Sequence, residues 1–463
     1  MDNDVEDERS HDEAIHEVKL NRRSLLGTAA LAAASVAVPL HARARRKPNI
    51  ILIVADDLGW GDLGCYGSAL IKTPHIDALA RHGVRMTDFY ASANVCTPSR
   101  AGMLTGRYPI RTGLAHEVIA VKDSKGLPLS EVTIAEILKP AYATMLAGKW
   151  HLGHVAPSWP PMVHGFDSFA GIPYSNDMRP LNFYRSNSDG GLLEEPAVQE
   201  NLTDQFFDAG IEFIKANAAR PFFLMLTPSA PHIPLRPGPN FAGKSAASVY
   251  GDVVEELDAA VGRLVAAVDK AGLTRDTLIL FTSDNGPWFE GSTGPHQGRK
   301  GGAGWDGGYL VPMIASWPGT LRARSTDAIA MNIDLLPTIA SVAGVALPSN
   351  VIIDGCDLFS VWQRGAPSPH TQLILFNNER VAALRTPQWK YVGRTYYRPY
   401  NVPLAAIGYP LLFDVTSDPG ETINLAPRHP EIAAEMTAQY KSAQDHFESL
   451  GTSQVPDFLP SAS

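Results

Sequence analysis

The hydrophobic pattern is clearest at Asn49-Ile50-Ile51-Leu52-Ile53-Val54-Ala55, which runs apolar without alternation and stops abruptly at Asp56-Asp57. A strand apolar at successive positions has both faces covered, as in a parallel or mixed α/β sheet. Residues 221–226 and 277–283 have the same texture. Between them Val253, Leu257, Val261, Leu264 and Val268 recur at the spacing of one helix face, and Gly272 supplies the stop. A further helix is predicted over 74–81, with Pro74 at its start and Gly83 just past its end. This alternation predicts an α/β fold. From about Ala343 the texture changes, because Gly344, Pro348 and Gly355 punctuate a turn-rich stretch and only short strands are predicted, at 373–376, 390–392 and 411–413. The pattern divides the chain into a larger α/β domain at 45–345 and a smaller C-terminal domain at 346–463.

The N-terminus does not fit that texture. Asn21-Arg22-Arg23-Ser24-Leu25-Leu26-Gly27 precedes an apolar, Ala-rich run to Leu40 and then Ala42-Arg43-Ala44, a small-x-small cleavage site. Residues 1–44 thus resemble a twin-arginine signal peptide, and the run is shorter than the ~20 residues of a spanning helix. The expectation is a substrate of the twin-arginine export machinery of a bacterium, periplasmic or secreted, and not an integral membrane protein once processed. Of the net charge of −9, the eight Asp/Glu and five Lys/Arg of the leader leave −6 on the remainder, a sign that argues against a nucleic-acid partner. With 463 residues, 45% hydrophobic and 19% charged, the chain can bury a large core. Three scattered cysteines, Cys65, Cys96 and Cys356, are too few for a disulfide framework or a zinc cluster, so any chemistry at one of them must come from its neighbours.

Cys96 has such neighbours. Cys96-Thr97-Pro98-Ser99-Arg100 is followed by Ala101-Gly102-Met103-Leu104-Thr105-Gly106-Arg107. Pro98 suits a first helical turn and Thr97 could cap it, leaving free N–H groups that favour an anion. Alone, the five-residue string reads as a helix start with a buried thiol. With its continuation it resembles the signature of the formylglycine-dependent, arylsulfatase A-like sulfatases. In that family the cysteine is oxidised to formylglycine by a formylglycine-generating enzyme before folding.

The resemblance extends from about Pro48 to Ala426. Asp56-Asp57-Leu58-Gly59-Trp60-Gly61-Asp62 and Ser283-Asp284-Asn285-Gly286 resemble the family's two metal-binding segments, and each follows a predicted strand. An Asp-Asn-Gly string by itself is usually a turn. Three carboxylates and an amide oxygen are hard donors suited to calcium, with magnesium second. The implied metal set is Asp56, Asp57, Asp284, Asn285 and the modified Cys96. Lys149-Trp150-His151 and Gly171-Ile172-Pro173-Tyr174-Ser175 resemble segments of the sulfate pocket, and His232 in Pro231-His232-Ile233-Pro234 matches its second histidine. Lys300 matches a family lysine only with one extra residue before Trp305-Asp306-Gly307-Gly308, which leaves Arg299 as a rival. Leu411-Leu412-Phe413-Asp414 and Asp418-Pro419-Gly420-Glu421 resemble the family's closing motif.

The resemblance implies an alkaline-phosphatase-like fold: a large mixed sheet flanked by helices, with a short antiparallel sheet in the smaller domain. It also implies hydrolysis of a sulfate monoester, either a small-molecule (aryl) sulfate or a sulfated carbohydrate or lipid. Cys96, Arg100, Lys149, His151, His232, Asp284 and Lys300 are the implied catalytic residues, and Lys149, Ser175, His232 and Lys300 the implied substrate contacts. The rival functions are a phosphate or phosphonate monoester hydrolase of the same superfamily and a catalytically inactive binder of sulfated ligands. Residues 179–195 and 396–409 carry the composition of specificity loops.

Overall fold

The Asn49–Ala55 strand lies inside a ten-stranded mixed sheet, and all seven of its residues are buried. Thr277–Ser283 flanks it on one side and Phe222–Thr227 on the other, both parallel, with Ile51 opposite Ile279 and Leu224. Ala143–Lys149 and then Ser168–Ile172 continue the parallel set. Antiparallel strands close it off: Met313–Ser316 beyond Thr277–Ser283, and the pair Asn182–Ser186 and Leu192–Pro196 beyond Ser168–Ile172. Short strands Val84–Met86 and Arg324–Thr326 complete the sheet. The computed structural model describes residues 46–397 and 400–451, without the side chains of 396, 397, 400 and 401. The export signal expected at 1–44 lies outside the described residues, as does part of the 396–409 stretch.

The unbroken apolar texture has the cause expected of it. Ile50, Leu52 and Val54 enter one core and Ile51, Ile53 and Ala55 the other. Each fully buried aliphatic side chain contributes about 1.5–3 kcal/mol by leaving water, so a strand used on both faces gains about twice as much per residue as a half-exposed one. Helices Cys96–Thr105, Ile134–Leu138 and Leu335–Ala343 cover the first face. Pro74–His82, Leu202–Asn217 and Ser248–Lys270 cover the second. The last of these is the helix read from Val253 to Val268, and Gly272, with φ 69°, follows its end.

Two helices on the second face are joined by a charged cap. Thr73 precedes Pro74–His82 without making a side-chain cap bond. Instead Asp258, on the long helix, accepts from the His75 N–H at 3.0 Å and the Ile76 N–H at 2.8 Å. Burial pushes the Asp258 carboxyl up to about 6, against these bonds. A raised pKa means that the contribution of this group is complete below the ordinary value of 3.8 and is lost as pH rises through about 6. Asp258→Asn keeps one acceptor oxygen and removes the ionisation. Its stability relative to the wild type should therefore increase between about pH 4 and 6.5, measured as denaturant midpoints at several pH values. A difference that stays flat with pH would contradict this account.

The strands expected at 373–376, 390–392 and 411–413 are Leu373–Asn377, Trp389–Val392 and Leu411–Asp414 of a four-stranded antiparallel sheet. Arg380–Arg385, which the sequence pattern did not mark, is the other member. The core beneath it contains Leu384, Tyr391, Leu412 and Tyr440 together with Tyr90 and Tyr309. Among the described residues, no helix is long and apolar enough to cross a membrane.

Candidate active site

The five parallel strands end along one edge, where open α/β sheets collect their ligands. Asp56 and Asp57 follow Ala55, Asp284 and Asn285 follow Ser283, and Lys149 is the last residue of its strand. Ser175 and His232 lie three and five residues beyond Ile172 and Thr227. Close backbone passage permits this convergence: a Cβ at Gly148 would strike the Thr227 carbonyl, and Thr227 Oγ1 donates to the Lys149 carbonyl at 2.8 Å.

Cys96 and Arg100 come from a helix, Cys96–Thr105, in which every residue is buried. Val95, extended, precedes it, so Thr97 stands inside the first turn and is not its cap. Thr97 is used elsewhere, its hydroxyl donating to the His151 carbonyl at 2.9 Å and accepting from the Ile119 N–H at 3.1 Å. The Ser99 N–H donates to the Val95 carbonyl at 3.2 Å and Pro98 has no N–H, so the Cys96 and Thr97 N–H groups are the ones that the helix itself leaves free.

The ion pairs form one network. Lys149 Nζ lies 2.9 and 2.7 Å from the two Asp56 oxygens and donates to Ser175 Oγ at 3.3 Å. Arg100 Nε donates to Asp284 Oδ2 at 2.9 Å, and its Nη2 is 3.3 Å from Asp56 Oδ1. Lys300 Nζ is 2.7 Å from Asp57 Oδ2 and 3.4 Å from Cys96 Sγ, while the thiol lies 3.6 Å from Asp56 Oδ1. His232 Nε2 stands 3.4 Å from Ser175 Oγ and 3.6 Å from Asp57 Oδ2. Arg299 does not enter; its Nη1 donates to the Trp288 and Gly291 carbonyls. Lys300 and His232 retain 12% and 8% side-chain exposure while Lys149, Asp56 and Asp284 retain none, so the pocket opens past those two.

Burial dominates the ionisation of these groups. It alone would raise Asp56, but Lys149, His232, Arg100 and Lys300 hold that carboxyl well below the usual range. Asp284 is raised by burial, against the pull of Arg100. Burial pushes the Cys96 thiol up to about 12, with Lys149 and Lys300 opposing, so the unmodified thiol is protonated at neutral pH. His151 is held well below its ordinary value by burial and by the Lys149 and Arg100 charges, and is neutral. Its Nε2 lies 3.1 Å from the Ile119 carbonyl and must carry the proton, which leaves Nδ1, buried without a partner, as the basic atom. Asp57 and His151 have φ of 63° and 57°, left-handed conformations that cost about 1–3 kcal/mol each and gather at functional sites.

The donors fit a hard cation. Cys96 Sγ and carboxylate oxygens of Asp56 and Asp284 lie within 4.8 Å of one another. Asn285 Oδ1 is buried without a partner, although its Nδ2 donates to Asp57 Oδ1 at 2.7 Å. An orphaned amide oxygen beside three carboxylates is a ligand set for an oxygen-seeking divalent ion.

Several supporting residues carry no local signal in the sequence. Ser99 Oγ donates to the Asp284 carbonyl and accepts from Asn332 Nδ2 at 2.8 Å, which ties the Cys96 helix to the Asp284-Asn285 segment. Asn332 is distant in the chain and Ile119 acts through its backbone, so neither could be found by motif.

Buried carboxylates, cationic side chains and a thiol gathered at the ends of the parallel strands make a site suited to hydrolysis of an anionic ester. The Sulfatase family model matches residues 48–345, and the chain belongs to that family of sulfuric ester hydrolases. It is 38% identical to arylsulfatase A of Homo sapiens over 462 residues, covering 89% of this chain and 90% of that one. It is 36% identical to steryl-sulfatase of Mus musculus over 504 residues, covering 84% and 81%. The crystal structure of PsFucS1 sulfatase from Pseudoalteromonas sp. superimposes with a TM-score of 0.78 at 29% identity, covering 86% of this chain and 90% of that one.

Proposed function

We propose that this sulfatase cleaves an aryl, carbohydrate or lipid sulfate monoester with residue 96 as formylglycine and one calcium ion held by Asp56, Asp57, Asp284, Asn285 and the modified residue. The observation that carries the reading is the setting of Cys96 Sγ, 3.4 Å from Lys300 Nζ and 3.6 Å from Asp56 Oδ1 in a pocket of alternating charge. Held by these residues, a calcium ion would supply positive charge toward the sulfate oxygens and acidify the hydroxyl of residue 96.

The remaining steps belong to side chains. Lys149 and Lys300 offset the sulfate charge in a largely buried pocket, Ser175 donates a hydrogen bond, and Arg100 orients residue 96. Hydrated formylglycine carries two hydroxyls on one carbon. The first attacks sulfur as Asp284 takes its proton, and the alcohol leaves protonated by His232 or Lys300. His151 Nδ1 then removes the proton of the second hydroxyl, the C–O bond to sulfate breaks, and the aldehyde is restored. A serine at 96 would leave a sulfated enzyme with no such exit.

The division at 345/346 and the export route belong to the same reading. Cys96 is 1% exposed in the folded chain, which supports oxidation by the formylglycine-generating enzyme before folding and before twin-arginine export to the periplasm or beyond.

The test is turnover of 4-nitrophenyl sulfate against 4-nitrophenyl phosphate by metal-stripped protein reloaded with calcium or magnesium. Calcium should restore activity more fully, and the sulfate should be preferred by at least about 10²-fold, the discrimination that a site built on specific contacts reaches. Faster phosphate turnover would favour a phosphate monoester hydrolase. Tight sulfate binding without release would favour an inactive binder.

A further inference from the structure

The loop from Gly286 to Lys300 begins beside one metal segment and returns into the pocket, and at its outer turn it exposes two aromatic rings. Trp288 is 39% and Phe289 70% exposed, and neither belongs to any of the three buried cores. Burial therefore does not explain them, and two adjacent exposed rings are a patch of the kind that waits for a ligand.

Their position is held from both sides. The Lys300 N–H donates to the Pro287 carbonyl at 3.0 Å, so the backbone beside Trp288 runs next to the residue whose Nζ lies 3.4 Å from Cys96 Sγ. Arg299 Nη1 donates to the Trp288 carbonyl at 3.0 Å and to that of Gly291 at 2.6 Å, and its guanidinium lies 6.0 Å from the Phe289 ring centroid. The rings meet edge to face, with centroids 4.8 Å apart and planes at 82°, and form a corner with two apolar walls. Such a corner accepts a flat ring against one wall with its edge toward the other. The neighbouring cation is already engaged with carbonyls, so the corner favours a ring face over a set of hydroxyls.

From this geometry we infer that Trp288 and Phe289 bind the alcohol half of the substrate, and that this half is an aromatic alcohol whose ring stacks in the corner while its sulfate occupies the pocket beyond Lys300. The inference rests on the sulfatase reading for the identity of the anionic end. The side chains act by binding, so their loss should raise KM for an aryl sulfate and leave kcat nearly unchanged.

A probe that is not hydrolysed separates the two ideas. Phenylmethanesulfonate carries a CH2 where an aryl sulfate has its ester oxygen, and methanesulfonate is the same anion without the ring. The calcium-loaded wild type should bind the first about tenfold or more tightly than the second, and Trp288→Ala and Phe289→Ala should each lose most of that ratio with methanesulfonate affinity unchanged. A ratio preserved in both variants would overturn the inference. So would a parallel loss of methanesulfonate binding, which marks general disturbance of the loop, or a loss confined to galactose 6-sulfate, which marks a pyranose site. The sulfatase reading fails separately, if the wild type releases no sulfate from 4-nitrophenyl sulfate, because the binding ratio is read without turnover.

Discussion

Cys96→Ser should fold, complete at most one round of chemistry and then stop. The side chain is 1% exposed and its Sγ lies 3.6 Å from Asp56 Oδ1 and 3.4 Å from Lys300 Nζ, and serine, smaller than cysteine, fits the same space. It supplies one hydroxyl, enough to attack sulfur, but no second hydroxyl through which the sulfate ester can collapse. Rapid mixing with 4-nitrophenyl sulfate should show no more than one equivalent of phenol per site, and steady-state turnover should fall by on the order of 10⁴-fold or more, as when a covalent nucleophile is lost. The wild-type peptide containing residue 96 should weigh about 18 Da less than its cysteine form, the difference in composition between cysteine and formylglycine. Sustained turnover by Cys96→Ser, or an active wild type with an unmodified peptide, would remove formylglycine from the mechanism.

The legible parts of this protein are those where one local pattern has one cause. Asn49–Ala55 and Thr277–Ser283 could be read because strands buried on both faces leave an unbroken apolar run, and the acidic residues that end those runs mark the ligand edge. The strand that carries Lys149 gave no such signal. Its sequence, Ala143-Thr144-Met145-Leu146-Ala147-Gly148-Lys149, mixes small residues with a glycine that the close approach of Thr227 requires. Strand order was equally hidden, because it depends on pairings more than a hundred residues apart, such as Ile51 with Leu224. The choice between Arg299 and Lys300 depended on loop conformation. Gly298 and Gly301, at φ 85° and 76°, turn the backbone so that Lys300 points inward and Arg299 back along the loop. Counting residues from Trp305 could not reveal that turn.

Replacing Lys390 should have the largest effect on stability, and the effect should grow with pH. Lys390 is fully buried, with Nζ 2.5 Å from Asp306 Oδ1 and 2.8 Å from Glu421 Oε1. Asp306 also accepts from Tyr90 Oη at 3.0 Å, and its own N–H donates to Glu421 Oε2 at 2.9 Å. The cluster thus joins the Asp-Gly-Gly segment after the Lys300 loop to the Asp-Pro-Gly-Glu turn and to the Trp389–Val392 strand. Lys390→Met fills much of the space but leaves two buried carboxylates without their cation, a loss of about 3–5 kcal/mol in comparable cases. Burial already pushes Glu421 up to about 7 while Lys390 opposes it; without the lysine it rises further. A carboxyl with a raised folded pKa is stable below its unfolded value and loses that stability as pH rises through the folded one. The deficit of Lys390→Met against the wild type should therefore include the lost support of Asp306 already near pH 5 and widen further as pH rises above about 7, measured by denaturant midpoints. Glu421→Gln added to Lys390→Met should recover part of the loss and flatten its pH dependence. A deficit independent of pH would mean that Lys390 acts through packing alone. The same cluster anchors the base of the Lys300 loop, where the Gly307 N–H donates to the Gln297 carbonyl at 2.7 Å, so kcat/KM should fall with stability in Lys390→Met and recover with it in the double variant.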